Sequence, residues 1–372
     1  MVAGETSGDM LAGLLLEGLR ARWPDLQTQG IGGPAMLAQG FQSWWPQEKL
    51  AVRGYIEVLP RLWEILSIRR QLRKRLIEQP PALFVGVDAP DFNLGLEAGL
   101  RAQGIKTVHF VCPSVWAWRP EKIEKLKVAA DHVLCIFPFE PELLAQHGIA
   151  ASYVGHPLAS VIPVEPDRAA ARLKLGLNNE DTVVALLPGS RSSEIAYIGQ
   201  RFFDAAAQLL RRRPGMRFVV PAVPAQRERL QAMAQASGLG DSIQVLAGQS
   251  HLAMAACDVT LIASGTATLE AALFKRPMVI AYNMHPMSWR MMKRKQLQPW
   301  VGLPNILSGE FVVPELLQDA ATPTALAQSV LDWLDSPERI EVLQQRFQAL
   351  HLTLKRDTAQ LATDAIEKIL ES

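Results

Sequence analysis

At 372 residues, 49% of them hydrophobic and 20% charged, the chain has the length for two folded domains and the apolar content for two cores, which excludes a disordered or fibrous protein. A net charge of +1 gives no ground for a polyanionic partner, so nucleic-acid binding is not expected. Three scattered cysteines (Cys112, Cys135, Cys257), without a C-x-x-C pair or a His pair at ligand spacing, point to buried thiols in a reducing compartment.

No basic stretch precedes an apolar one as in a signal peptide, and no run of about 18 apolar residues is present to cross a bilayer. The chain opens with VAGETSGD (Val2–Asp9), an apolar stub and a small polar turn. Leu11, Leu14, Leu15 and Leu19 then recur at helical spacing up to Trp23-Pro24. Glycines permit a tight turn here, and Thr6 or Ser7 is placed to cap the helix. The turn lacks both the G-x-G-x-x-G spacing and the P-loop lysine. Val2–Ala3 is too short for a central strand of about five residues, so a stunted first strand and a late start of the chain are expected.

Ala82–Val87 reads as a strand, Phe92–Gly104 as a helix closed by glycine, and Ile105–Val111 and His132–Phe137 as further strands. PELLAQHG reads as a helix and ASYVG as a strand. A polar stretch, Val164–Asp181, separates this series from a second one. There, Thr182–Leu187 is a strand, a loop PGSRSSE leads into a helix to Arg213, and MRFVVPA, SIQVL, VTLIAS and PMVIAY are strands. The tail from Pro337 looks helical. Continuous apolar strands alternating with helices predict an α/β protein with parallel sheets covered on both faces, in two domains, residues 1–160 and 161–344. The last helix, from about residue 345 to 372, is expected to pack back on the first domain or to exchange between subunits of a homodimer.

Ligands of open α/β sheets bind at the carboxyl ends of strands. Four such places carry chemistry. GETSGD offers Glu5 and Ser7. VGVDAPDFN (Val85–Asn93) puts Asp88 directly after a strand, where a carboxylate is a natural general base, while Asp91 is read as a helix cap. LLPGSRSSEI (Leu186–Ile195) ends a strand in a turn and a helix start, where Ser190, Arg191 and free N–H groups suit a phosphate, with Ser193–Glu194 capping as the plain alternative. IASGTATLEAALF (Ile262–Phe274) makes a second such turn at Ser264, Gly265 and Thr266, and Glu270 lies one turn into its helix, placed to reach a sugar hydroxyl.

Two stretches mix basic with apolar residues. Arg61–Gln79 interleaves Leu62, Ile65, Leu66, Leu72 and Leu76 with Arg69, Arg70, Arg73, Lys74 and Arg75. His285–Trp300 interleaves Met287, Trp289, Met291 and Met292 with Arg290, Lys293, Arg294 and Lys295. An interfacial helix has this composition, as does a core-facing stripe with a solvated basic face; RNA binding has neither an overall charge nor a module signature behind it.

GETSGD, GVDAPDFN, PSVWAWR (Pro113–Arg119), LLPGSR, SGTATLE and LPNIL (Leu303–Leu307), in this order, closely resemble the lipid-A-disaccharide synthases of Gram-negative bacteria over nearly the whole chain. The resemblance implies a GT-B fold, two Rossmann-like domains facing a cleft. It implies a UDP-2,3-diacylglucosamine donor, a 2,3-diacylglucosamine 1-phosphate acceptor, and a β-1,6-linked disaccharide 1-phosphate made with release of UDP. It also implies a peripheral protein on the cytoplasmic face of the inner membrane, which favours the lipid-surface reading for at least one basic stretch. An α-linked donor and β-linked product mean inversion, with Asp88 as base and Arg191, the PGSR turn and the SGT turn steadying the departing diphosphate. The resemblance adds Asn305 near the diphosphate and Glu270 on the ribose. Nothing matches a D-x-D metal site, so no cofactor or obligatory metal is expected. A UDP-sugar 2-epimerase, a flavin or nicotinamide oxidoreductase and a non-catalytic carrier are the rival classes.

Overall fold

The computed structural model describes residues 1–50, 55–117 and 120–371, without the side chains of residues 55–61. Trp118 and Arg119 of PSVWAWR and the Arg61 side chain therefore lie outside the described residues. The chain divides into two compact units, Met1–Ser160 with Thr353–Ser372, and Val161–Leu352.

The first unit is built on seven strands: β1 (Val2–Ala3), β2 (Gln29–Gly32), β3 (Gln42–Pro46), β4 (Phe84–Val87), β5 (Thr107–Phe110), β6 (His132–Cys135) and β7 (Ala151–Tyr153). They lie in the order β3-β2-β1-β4-β5-β6-β7, and every pair is parallel. The order reverses between β1 and β4, which makes their carboxyl ends the switch point of the sheet. β1 has only two residues yet sits mid-sheet, with Val2 opposite Ile31 and Gly86 and Ala3 opposite Val87. The Met1 carbonyl extends its ladder by accepting from the Ile31 N–H at 3.0 Å.

Helices cover both faces. The apolar stripes of α3 (Tyr55–Glu78) and α4 (Pro90–Arg101) bury Ile68, Leu72, Leu76, Phe92, Leu96 and Leu100 against Val2, Ile31 and Phe84. α1 (Thr6–Arg22) meets the last helix (Thr358–Glu371), whose Ala359 and Thr363 press on Gly18. Arg22 of α1 is paired there with Asp364, at 2.6 Å, and with Glu367. The short α2 (Pro34–Ala38) follows β2, and α5 (Glu121–Ala129) precedes β6.

The second unit has six parallel strands, β8 (Val183–Leu187), β9 (Arg217–Ala222), β10 (Ile243–Ala247), β11 (Val259–Ala263), β12 (Met278–Tyr282) and β13 (Glu315–Leu317), in the order β10-β9-β8-β11-β12-β13. Its switch point lies between β8 and β11. The polar stretch before β8 is folded into this unit. It contains a helix, Arg168–Lys174, whose fully buried Arg172 donates to the carbonyls of Ala256, Asn178, Asn179 and Asp181 and pairs with Asp258 at 2.9 Å. An always-charged donor set with every neighbour an acceptor is how a guanidinium is tolerated inside.

Candidate active site

All four strand-end clusters fall at the two switch points: GETSGD and DAPD after β1 and β4, PGSR and SGT after β8 and β11.

In the first unit, Asp88 and Ala89 are both left-handed, with φ of 51° and 42°. Neither is glycine, and each such residue costs about 1–2 kcal/mol unless its surroundings hold it. The holding contacts are explicit. The Asp88 N–H donates to the Phe110 carbonyl at 2.8 Å, and the buried Asn93 amide donates to the Asp88 carbonyl at 2.8 Å and to those of Val2 and Val87 at 3.4 Å. Gly8 lies on the Asp88 side chain and the Val87 carbonyl, so the GETSGD turn abuts the DAPD turn. Burial raises the Asp88 pKa, and nearby Glu5 raises it further; the Ala89 N–H, His109 and Lys122 pull it down. A desolvated, strained carboxylate at a switch point is a proton acceptor in the right place.

The opening turn works differently from expectation. Neither Thr6 nor Ser7 caps α1: Glu5 is the N-cap residue, without a side-chain cap bond, and Ser7 is exposed in the first turn. Asp9 turns inward and accepts from the N–H groups of Gly33, Ala35 and Met36 at 2.7, 2.8 and 3.2 Å. It thereby caps α2, where an anion suits the free N–H groups. Asp91 is not a helix cap either. Ala89 holds that position, and Asp91 pairs with Lys122 at 2.9 Å.

One pair went unread in the sequence. His109 of β5 and Glu97 of α4 are both fully buried, with Nδ1 2.8 and 3.1 Å from the two carboxylate oxygens. A side chain at Gly86, opposite His109 across the ladder, would collide with Glu97 and Asn93. Asn93 and Glu97 lie on the same helix face as Leu96 and Leu100, and a polar residue on an apolar stripe was the available signal. The Trp116 of PSVWAWR is core: its indole N–H donates to Glu140 at 3.0 Å, and Phe137 and Phe139 meet it edge-on. Burial pushes Glu140 up to about 7.

In the second unit, the PGSR turn already holds an anion of its own. Glu194 accepts from the Ser190 and Arg191 N–H groups at 3.0 and 3.2 Å and pairs with the Arg191 guanidinium at 2.8 Å. This is the reach-back half of a capping box, with Arg191 as the N-cap residue, so the expected open phosphate cradle is filled with a carboxylate. Gly189 is required by it: its φ is 109°, and a Cβ would strike Glu194. A π-helical turn, Ile195–Gly199, then leads into the helix Gln200–Arg212.

The SGT turn is more open. Gly265 has a φ of 152°, nothing lies where a side chain would stand, and Thr266 starts the helix Thr266–Leu273. Ser264 Oγ donates to the Val301 carbonyl at 3.2 Å. Glu270, part-buried, lies 3.2 Å from His251 Nε2.

Asn305, expected near the diphosphate, is a buried brace in this structure. It is fully buried; its amide donates to the Val313 carbonyl and Glu315 at 2.9 and 2.8 Å and accepts from the Val312 and Val313 N–H groups at 2.8 and 3.0 Å. Glu315 in turn accepts from the N–H groups of Val301 and Gly302, both at 2.9 Å. Asn305 and Ser264 are thus joined through residues 301–302, which brings LPNIL and SGT together, with the Asn305 side chain spent inside.

The basic stretches part company. On α3, Arg69 and Arg73 lie over Gly95 and Gly99 of α4, and Arg75 stacks on Trp44 at 3.8 Å. With Ile68, Leu72 and Leu76 buried, this part of α3 is a core-facing stripe; Arg70 and Lys74 point outward. The helix Pro286–Lys295 buries no residue: Met287 and Met291 are exposed beside Arg290 and Lys293, with Trp289 half-buried.

Among the described residues no helix is long and apolar enough to cross a membrane, and no group of three or more His, Cys, Asp or Glu side chains is arranged to hold a metal.

Comparison with known proteins bears on this geometry. The family model described as lipid-A-disaccharide synthetase matches residues 1–369. A lipid-A-disaccharide synthase of Verminephrobacter eiseniae is 64% identical over 375 residues, covering 100% of this chain and 96% of its own. Among solved structures, MurG of Acinetobacter baumannii superposes with a TM-score of 0.58 at 15% identity, covering 96% of each chain. A UDP-GlcNAc 2-epimerase of Neisseria meningitidis bound to UDP-GlcNAc superposes with a TM-score of 0.64 at 12% identity, over 100% of this chain and 98% of its own. At such identities the structural likenesses speak for the fold alone: two Rossmann-like α/β units of the GT-B class.

Proposed function

The chain belongs to the lipid-A-disaccharide synthetase family and is a glycosyltransferase of lipid A disaccharide synthesis, and we propose that it joins UDP-2,3-diacylglucosamine to 2,3-diacylglucosamine 1-phosphate with inversion. The products are the β-1,6-linked disaccharide 1-phosphate and UDP. The observation that carries the mechanism is Asp88, desolvated in a left-handed turn at the first unit's switch point.

In this reading the Asp88 carboxylate takes the proton of the acceptor 6-hydroxyl as that oxygen forms its bond to the anomeric carbon. The bond from that carbon to the diphosphate oxygen breaks on the opposite face, and the electron pair leaves with UDP. One displacement inverts the centre. UDP leaves as an anion, so it needs charge stabilisation rather than a strong acid. Arg191, Ser190 and the turn Ser264, Gly265 and Thr266 supply N–H groups and positive charge in the second unit. Glu270 is proposed to accept from the ribose, exchanging His251 for a hydroxyl. Glu5 and Ser7 flank Asp88 and contact the acceptor. Asn305 acts through the 301–302 segment.

Both proposed substrates carry acyl chains, so the protein is proposed to work at the cytoplasmic face of the inner membrane. The helix Pro286–Lys295, with Trp289, Arg290 and Lys293, has the better claim to lipid than residues 69–73 of α3, because it buries nothing. Mass spectrometry of the products from both diacylated sugars tests the proposal. The disaccharide 1-phosphate mass with stoichiometric UDP is expected. An epimerised UDP-sugar, or bound donor without turnover, would overturn it.

A further inference from the structure

A buried ammonium stands beside the Asp88 turn, and the transfer step above gives it no part. Lys122, in the first turn of α5, has a side chain only 6% exposed, whereas that of its partner Asp91 is 83% exposed. Lysine is strongly hydrated and rarely goes inside. In an ordinary surface pair both groups stay in water; here the cation is turned in and the acid is left out. Water screens Asp91, so it cancels the field of Lys122 less on the protein side than on its own.

The charged and titratable groups around Asp88 come from each neighbouring element: Glu5 from the β1–α1 junction, His109 from β5, Lys122 from α5, and Asp91 from the same turn. His109 is engaged by the buried Glu97, which balances it locally. Glu5 adds a like charge to a carboxylate that burial already penalises. A general base must be ionised to work; the Ala89 N–H, His109 and Lys122 all favour that form, and Lys122 is the ammonium among them, with its own partner left in water.

We propose that Lys122 is a positioning residue for the transfer reaction, the counter-cation of the Asp88 turn, tethered by Asp91 and kept out of water so that its charge acts on the base. The proposal rests on Asp88 being that base. It requires no covalent step of its own.

The test is the pH dependence of kcat/KM for Lys122→Met, Lys122→Arg and Asp88→Asn against the unaltered protein. Removing the cation favours the neutral acid, so the acid limb of Lys122→Met should move up by about one pH unit, with the rate recovering as pH rises. Lys122→Arg should return the limb to its original place. Asp91→Asn, which loosens the tether, should move it the same way by less, and serves if Lys122→Met does not fold. A Lys122→Met limb that does not move overturns the proposal, as does a raised acceptor KM with an unmoved limb, which would make Lys122 a substrate ligand. Asp88→Asn separates the two claims: if it keeps its activity and acid limb, the base reading itself fails.

Discussion

At the β1/β4 switch point two left-handed residues carry a carboxylate whose charge its surroundings oppose, whereas at the β8/β11 switch point the turn is relaxed and satisfied by its own Glu194. The first arrangement costs the fold something and keeps a reactive group in place. The second costs little and, if it takes the diphosphate as proposed, exchanges one anion for another. In the proposed reading, strain and desolvation go with the place where a proton moves, and self-capping with the place where a charged group docks.

The largest effect that would break this contrast is at Asp88. Asp88→Asn should lower turnover by about 10²–10⁴-fold while UDP binding, measured by calorimetry, is unchanged. A parallel loss of UDP affinity would mean that the two edges do not divide the work. Next is Asn305, whose truncation leaves the Glu315 carboxylate and two N–H groups short of partners. Asn305→Ala should destabilise the second unit by about 2–4 kcal/mol in urea titrations, and donor affinity should fall with it. Unchanged stability would return Asn305 to the role of a direct ligand.

A smaller effect is expected at Glu194. Glu194→Gln removes a negative charge from the turn proposed to take the diphosphate, so UDP should bind about three- to fivefold more tightly. Weaker binding would show that the carboxylate shapes the turn more than it blocks it.

The last effect, on stability rather than on binding or turnover, is a control on the first unit. Glu140 titrates at about 7 instead of 4.5, because burial favours its neutral form. Its folded pKa is raised, so the stability it contributes is complete below about 4.5 and is lost as pH rises through about 7. Glu140→Gln should therefore flatten the fall of Tm across that window. If Tm keeps its slope, the carboxylate is not the group responsible, and the acid limb of activity must be separated from unfolding by other means.

Much of this was legible in the sequence. Long apolar strands such as Val183–Leu187 and Val259–Ala263 announce a parallel sheet because both their faces are buried. β2, β3 and β13 escaped: QGIG is half glycine, QSWWP ends in proline at a sheet edge, and ELL is three residues long. The motifs located both switch points, since turn chemistry is local. What they could not give was direction. Nothing in DAPDFN says that Asp91 turns to Lys122 while Asn93 ties down the Asp88 carbonyl. In PGSRSSE the capping role of Glu194 was legible as the plain alternative, but nothing in LPNIL says that Asn305 points inward. Lys122, 31 residues from Asp91 in the chain, is brought to it by packing.

The stereochemistry of the product tests the central claim most directly. In the proposed reaction a single displacement driven by Asp88 inverts the anomeric centre. Proton NMR of the disaccharide formed from the α-linked donor should therefore show the large axial–axial H1–H2 coupling of a β-linkage. An α-linked product would require two displacements or a front-side path, and would contradict the role given to Asp88.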